Sequence, residues 1–156
     1  NLCQRVTAFA NKNCDGKVPL EIKFQDEDLL ILNKFKDNLD NIRFKIDNQN
    51  INFYIDYIVN SLFEANKYFN DQEPWKKKDD KIRLNTIVYT TLEIVRKISF
   101  LMYPIIPESS LKVLNIFDIE EKKVELNSIL DNEYLIKGKK LNKIDILFKK
   151  IEKKND

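Results

Sequence analysis

The chain has 156 residues, of which 33% are charged, and its formal net charge is +2. This length suits one domain with a sizeable core, and the near-neutral charge means that any nucleic-acid binding must rest on a local basic patch. No apolar run is long enough to span a membrane and no leader opens the chain, so a cytoplasmic protein with no membrane partner is expected.

Only two glycines and four prolines interrupt the chain, and no alternating apolar runs flanked by turn residues are present. This pattern predicts an all-helical protein. The chain begins with Asn1 inside a helical pattern, so it is interpreted as a fragment of a longer protein.

The sequence offers little for metal binding or catalysis. Cys3 and Cys14 fall on one predicted helix, about 16 Å apart along its axis, whereas a disulfide needs Cα atoms within about 7 Å. The composition contains no histidine, so a usual zinc ligand and the most common general base are both missing. Free thiols, no metal site and no catalytic residue are therefore predicted.

The first predicted helix covers residues 1–14 and ends at Asp15-Gly16, where glycine can supply a left-handed cap. Its apolar stripe is formed by Leu2, Val6, Phe9 and Ala10. Asn1 and Arg5 lie one turn apart on a neighbouring stripe. That stripe is either a solvated polar face or a pair of side chains suited to hydrogen-bonding base edges.

Two further helices are predicted before the middle of the chain, the first over residues 26–44. Asp47 and Asn48 can cap the next one, which ends at the turn before Trp75. Its expected buried arc consists of Ile51, Ile55, Ile58, Val59, Leu62, Ala65 and Phe69.

A fourth helix is predicted from Asp79-Asp80 to Tyr103, the residue before Pro104, and its wide apolar face makes it the most buried helix. Pro107 can begin a further helix, with Ser109 or Ser110 capping a short one over residues 111–117. From residue 118 the periodicity weakens, so residues 118–156 are expected to form a loosely packed extension.

Trp75 is the only tryptophan in the chain; a proline precedes it and three lysines follow. One interpretation is a ring that stacks on a nucleobase while nearby cations contact phosphates. The alternative is a ring that folds back into the bundle. The candidate phosphate contacts are Lys12, Lys76, Lys77, Lys78, Lys81 and Arg83, and a solvated charge run is the alternative for them.

Four segments occur in a characteristic order: Asn1-Leu2-x-x-Arg5, Asn13-Cys14-Asp15-Gly16-Lys17-Val18-Pro19, Phe69-Asn70-Asp71-Gln72-Glu73-Pro74-Trp75-Lys76 and Met102-Tyr103-Pro104-Ile105-Ile106-Pro107. Together they resemble the C-terminal anticodon-binding domain of bacterial methionyl-tRNA synthetases. The resemblance implies an α-helical bundle over residues 1–117, in which Trp75 stacks on the first base of a CAU anticodon. It also implies that Asn1 and Arg5 hydrogen-bond anticodon bases.

The resemblance has consequences for the parent enzyme, which attaches methionine to tRNA. Its partners would be the elongator and initiator methionine tRNAs and its own catalytic domain. Residues 118–156 would return toward that domain, although the prolines usual around Leu147-Phe148 are absent. ATP, with zinc as a further candidate, would bind the missing catalytic region. The chain itself would need no cofactor and would be inactive alone.

A helical protein–protein interaction module is the alternative function, with Trp75 as a binding hot spot. It predicts binding that RNA competitors hardly affect, and it leaves the pairing of Asn1 with Arg5 unexplained. A free-standing enzyme would need a cleft of titratable groups, which the sequence does not indicate.

Overall fold

In a computed structural model, which describes residues 1–144, the chain forms five α-helices, of which α1 and α2 are joined by a longer loop and the others by short turns. The helices are α1 (Leu2–Asn13), α2 (Asp26–Asp47), α3 (Ile51–Gln72), α4 (Lys81–Met102) and α5 (Pro107–Leu114). Short 3-10 turns follow at Pro74–Lys76, Asn115–Phe117, Glu121–Lys123 and Leu126–Leu130. The predicted all-α bundle is confirmed. None of the helices in this part of the chain is long and apolar enough to cross a membrane.

Helix α4 is the centre of the bundle, as its apolar face predicts. Every residue from 86 to 101 is buried, because α1, α2, α3, α5 and the segment Leu126–Leu130 all pack around it. Its N-terminus is capped by Asp80, whose side chain accepts a hydrogen bond from the backbone N–H of Arg83 at 3.0 Å. This is the start predicted from Asp79-Asp80.

The predicted helix boundaries at the α2–α3 junction and at both ends of α5 are wrong. Helix α2 continues to Asp47, and the cap of α3 is Asn50, whose side chain accepts from the Phe53 N–H at 3.1 Å. Helix α5 begins at Pro107 rather than after a serine cap, because the fixed φ of proline suits the first helical position. The last residues of the predicted helix instead form the 3-10 turn Asn115–Phe117.

The predicted buried arc of α3 is also partly wrong. Ile51, Ile55 and Val59 are 63%, 40% and 56% exposed, whereas Tyr54 and Tyr68 are buried. The Tyr54 hydroxyl donates to the backbone oxygen of Leu101 and the Tyr68 hydroxyl to the Asp28 carboxylate. Tyrosines with such partners bury large apolar rings at little polar cost, so they displace the aliphatic stripe from the core.

The extension is not loosely packed within the described residues. Its apolar side chains Ile119, Ile129, Leu135 and Leu141 are buried against the helices, and residues 17 and 140 form an isolated antiparallel bridge. The change at residue 118 therefore marks a change of local structure, not a separate loose segment. Leu147-Phe148 and the predicted return toward a catalytic domain lie outside the described residues.

A buried charged cluster on α4 holds the extension in place. The Arg96 guanidinium donates to the Glu93 carboxylate at 2.6 Å and to the backbone oxygens of Ser128 and Asp131 at 2.9 and 2.7 Å. The Lys97 ammonium donates to the backbone oxygen of Ile129 at 2.6 Å. Desolvation by burial and the nearby Arg96 charge lower the pKa of Lys97 from its ordinary value of 10.5 to about 8.

Candidate nucleic-acid interface

Trp75 lies on a short turn between α3 and α4 that has an unusual start. Helix α3 ends at Gln72, and Glu73 adopts a left-handed conformation with φ 44° and ψ 57°. Pro74 then begins the 3-10 turn that presents the ring. Trp75 is 40% exposed, and its ring meets that of Phe69 edge-on, with centroids 6.1 Å apart and an interplanar angle of 72°. The ring therefore does not plug the core.

Arg5 approaches this turn from α1. Its Nη2 donates to Oδ1 of Asn70 at 2.7 Å, and its guanidinium carbon lies 5.5 Å from the centroid of the Phe69 ring. The side chain makes no other hydrogen bond with residues 1–144, so the remaining guanidinium donors are available to a ligand. The amide and the ring together fix the orientation of a planar cation.

Arg5 and Trp75 line one open cleft of about 390 Å³, together with Ala8, Phe9, Lys12 and Phe69. Three of the predicted site residues, Arg5, Lys12 and Trp75, thus come together although α1 and the Trp75 turn are far apart in sequence. A partly exposed aromatic ring, a partly free guanidinium and a lysine at one cleft are the groups that hold an unstacked base and its phosphate.

Asn1 does not line this cleft. Its backbone oxygen accepts from the Arg5 N–H at 3.0 Å, and the residue is exposed at the start of α1. It lines a different, largely apolar cavity of about 260 Å³ with residues of α1, α3, α4 and α5. Its contact with a base therefore stays a prediction.

The candidate phosphate lysines differ in their surroundings. Lys77 and Lys78 are exposed and form no ion pair within the part of the chain that the structure describes. The Lys76 ammonium lies 2.7 Å from the Glu73 carboxylate. Lys81 donates to the backbone oxygen of Asn13 and so satisfies the C-terminus of α1. Of the lysines around Trp75, Lys12, Lys77 and Lys78 are those whose ammonium groups form neither an ion pair nor a hydrogen bond in residues 1–144.

Arg83 does not fit the phosphate contact predicted for it. Its side chain is only 7% exposed and forms a bidentate pair with the Asp28 carboxylate at 2.6 and 3.1 Å. A third hydrogen bond at 2.6 Å reaches Oε1 of Gln72. With its donors used inside the protein, Arg83 has a structural role, and its helix position one turn after Asp80 gave no sign of that burial.

Sequence reasoning missed the support beneath the cleft. Phe69 was expected only as an apolar core residue, yet its ring contacts Trp75, Arg5 and Phe9, the last edge-on at 6.0 Å. Asn70 had no assigned role, although it holds the guanidinium. The available signal was their position immediately before the tryptophan turn.

The described residues show neither a metal site nor a reactive thiol. Within residues 1–144 no group of three or more His, Cys, Asp or Glu side chains could hold a metal ion. Cys3 and Cys14 are free, as predicted, and both are buried. Burial raises the pKa of Cys3 to about 12, which keeps the thiol protonated.

Three comparisons with known proteins agree. A family model described as the anticodon binding domain of methionyl tRNA ligase matches residues 18–156. Methionine–tRNA ligase of Brucella suis is 35% identical over 131 residues, which cover 83% of this chain and 25% of that protein. The Mycobacterium leprae ligase is 36% identical over 126 residues, which cover 78% of this chain and 24% of that protein.

The same likeness extends to solved structures. The apo form of Mycobacterium tuberculosis methionyl-tRNA synthetase superposes with a TM-score of 0.88 at 30% identity, covering 97% of this chain and 31% of that one. Its complex with methionyl-adenylate gives a TM-score of 0.86. The chain spans about a quarter of the length of the curated relatives it matches.

Proposed function

The chain belongs to the family of methionyl-tRNA ligase anticodon-binding domains, and from this membership we propose that it binds the anticodon loop of methionine tRNA. The observation that carries the proposal is the open cleft in which Arg5 and Trp75 meet. The proposed partners are the elongator and initiator methionine tRNAs, which share the CAU anticodon. In the parent ligase, a cytoplasmic enzyme, the catalytic domain would be the second partner and would bind ATP, with zinc as a further candidate there.

The proposed recognition divides the work between stacking and hydrogen bonding. A loop base that has left the stack can lie on the exposed part of Trp75, which contributes about 1–3 kcal/mol per base. Arg5, held by Asn70 and Phe69, has donors left for a base edge. Bidentate contacts of that kind discriminate by about 1–3 kcal/mol. Stacking on Trp75 provides affinity, and the Arg5 guanidinium provides base specificity.

The surroundings of Trp75 favour RNA over a protein partner. Lys12 shares its cleft and Lys76, Lys77 and Lys78 follow it in the chain, all of them exposed. Lysine is depleted at protein–protein interfaces, whereas cations beside an aromatic platform are what a single-stranded nucleic acid requires. A protein hot spot at Trp75 would instead give binding that excess RNA leaves unchanged.

Arg5→Gln tests the specificity directly. We expect affinity for a CAU stem-loop to fall by about 1–3 kcal/mol, with reduced discrimination against a loop of changed first base. Glutamine retains the helix propensity of arginine and a planar polar group but loses the cationic fork. Binding isotherms on both loops at two salt concentrations measure the effect.

Lys77→Gln is the matched control for a contact that carries no sequence information. Loss of a phosphate contact weakens both loops alike and reduces the salt slope by about one unit. If Arg5→Gln behaves in the same way as Lys77→Gln, Arg5 is a backbone anchor and the proposed base reading is wrong.

A further prediction concerns activity. The chain matches an anticodon-binding domain family and spans about a quarter of the length of its ligase relatives, so the 156 residues alone are expected to show no ATP–pyrophosphate exchange with methionine. Exchange above the background of a heat-inactivated sample would contradict the view that catalysis belongs to a separate domain of the ligase.

A further inference from the structure

A buried ionic network lies at the base of the tryptophan turn. The Asp28 carboxylate, at the start of α2, is fully buried and accepts the Gln25 N–H at 2.8 Å, the Tyr68 hydroxyl and both terminal nitrogens of Arg83. Burial and the adjacent carboxylate raise the pKa of Tyr68, so its hydroxyl stays a donor. One carboxylate therefore joins α2 to the last turns of α3 and the first turn of α4.

The network holds both ends of the segment that carries Trp75. Arg83 donates at 2.6 Å to Gln72, the residue immediately before the left-handed Glu73. On the other side, Asp80 accepts from the backbone N–H of Arg83 at 3.0 Å. Residues 73–80 are thus bounded at both ends by groups that Arg83 holds, and Arg83 is itself oriented by Asp28.

The left-handed conformation of Glu73 explains why it matters that both ends of this segment are held. Glu73 has a β-carbon, and a non-glycine residue with positive φ persists only where its surroundings over-determine it. A bidentate guanidinium–carboxylate pair is directional, whereas a buried ion pair often adds no net stability over an apolar replacement. The main contribution of the Asp28–Arg83 pair is therefore to fix the orientation of the segments that it joins.

We propose that Asp28, Arg83 and Gln72 are positioning residues that fix Trp75 and its turn in the orientation that faces Arg5. None of them faces the cleft, so they act through the turn rather than by contact with a ligand. The consequence for RNA rests on the proposed function, whereas the placement of the ring does not.

The single tryptophan makes the ring directly observable, because fluorescence excited at the long-wavelength edge of the absorption band, where the six tyrosines do not absorb, reports on Trp75 alone. Asp28→Asn removes the buried charge at nearly constant size. At a temperature where circular dichroism shows full helicity, we expect a red shift of the emission maximum and stronger acrylamide quenching than in the unmodified protein. Ile129→Ala, a cavity-forming change in the buried extension, is the control: it destabilises the bundle and leaves the Trp75 signal unchanged.

Gln72→Met provides a milder second variant in case Asp28→Asn does not fold. It removes only the hydrogen bond from Arg83 and keeps helix propensity and length. We expect the same red shift and stronger quenching with little loss of melting temperature, together with about tenfold weaker binding of a CAU stem-loop. Unchanged emission and quenching in folded Gln72→Met would overturn the inference.

The two hypotheses fail in different ways. A fluorescence change without weaker RNA binding would retain the positioning role and count against the proposed function. Weaker RNA binding with an unchanged tryptophan signal would instead show that the network does not act through Trp75, and the positioning role would be wrong.

Discussion

Glu93→Ala is expected to lower the free energy of unfolding by about 3–5 kcal/mol, because it leaves the buried Arg96 guanidinium without its carboxylate. Glu93 is fully buried and accepts from Arg96 at 2.6 Å and from the Leu135 N–H at 2.7 Å. For a chain of this size the loss corresponds to a fall in Tm of roughly 10 °C. Thermal unfolding followed by circular dichroism measures it.

Glu64→Ala is the matched control for this prediction. Glu64 also pairs with a lysine, Lys34, but both side chains are exposed to solvent by more than a third. Exposed pairs contribute only about 0.2–1 kcal/mol, so the control should melt close to the unmodified protein. Equal Tm values for Glu93→Ala and Glu64→Ala would show that the buried cluster is not what holds the extension.

The pH dependence of the Glu93→Ala effect follows from Lys97. Its folded-state pKa, about 8, lies below its ordinary value of 10.5, so the unfolded chain binds more protons between these values and stability from this group rises with pH there. Without Glu93 the pKa falls further, since that carboxylate raises it. The Tm difference between variant and unmodified protein should therefore narrow from pH 7 to pH 9.

Much of the fold could be predicted because its main signals are local. The dense apolar face of α4 and the cap at Asp80 are properties of neighbouring residues, and both are confirmed. Pro107 likewise marks a helix start through its own backbone geometry. Signals of this kind can be read from one short window of sequence.

The rest could not be predicted because it depends on partners distant in sequence. A helical wheel scores Tyr68 and Arg83 as less apolar than Ile55, yet Tyr68 and Arg83 are buried because Asp28 lies between them. The extension was expected to be loose because its periodicity weakens from residue 118, and no sequence pattern indicated that Arg96 and Lys97 donate to its backbone oxygens. Periodicity measures hydrophobicity and not satisfied polar groups.

The candidate site shows the same division. Spacing placed Asn1 and Arg5 on one stripe, but the meeting of Arg5 with Trp75 followed from the family resemblance, not from periodicity. In the structure Arg5 and Trp75 line one cleft, whereas Asn1 lines another cavity. The support from Asn70 and Phe69 emerged only from the packing of α1 against the end of α3.

Trp75→Ala is expected to weaken binding of a CAU stem-loop by about 1–3 kcal/mol, the contribution of one stacked base. The loss of folding stability should be smaller than that for an aromatic residue of the core. The ring is 40% exposed, and its edge-on contact with Phe69 contributes about 0.5–1.5 kcal/mol, whereas truncating a fully buried aromatic costs roughly 3–5 kcal/mol. Isothermal titration with the stem-loop and a melting curve measure the two effects separately.

Phe63→Ala controls for the loss of any surface aromatic. Phe63 is 72% exposed on α3 and does not line the cleft, so its removal should leave RNA affinity unchanged. A large Tm loss in Trp75→Ala with unaltered RNA affinity would identify Trp75 as a structural residue. Loss of RNA affinity in Trp75→Ala alone, with both variants melting near the unmodified protein, is expected if the ring serves mainly as a surface for a base. In that case affinity is separable from stability at this position, because the part of the ring that contacts RNA is the part that the fold leaves exposed.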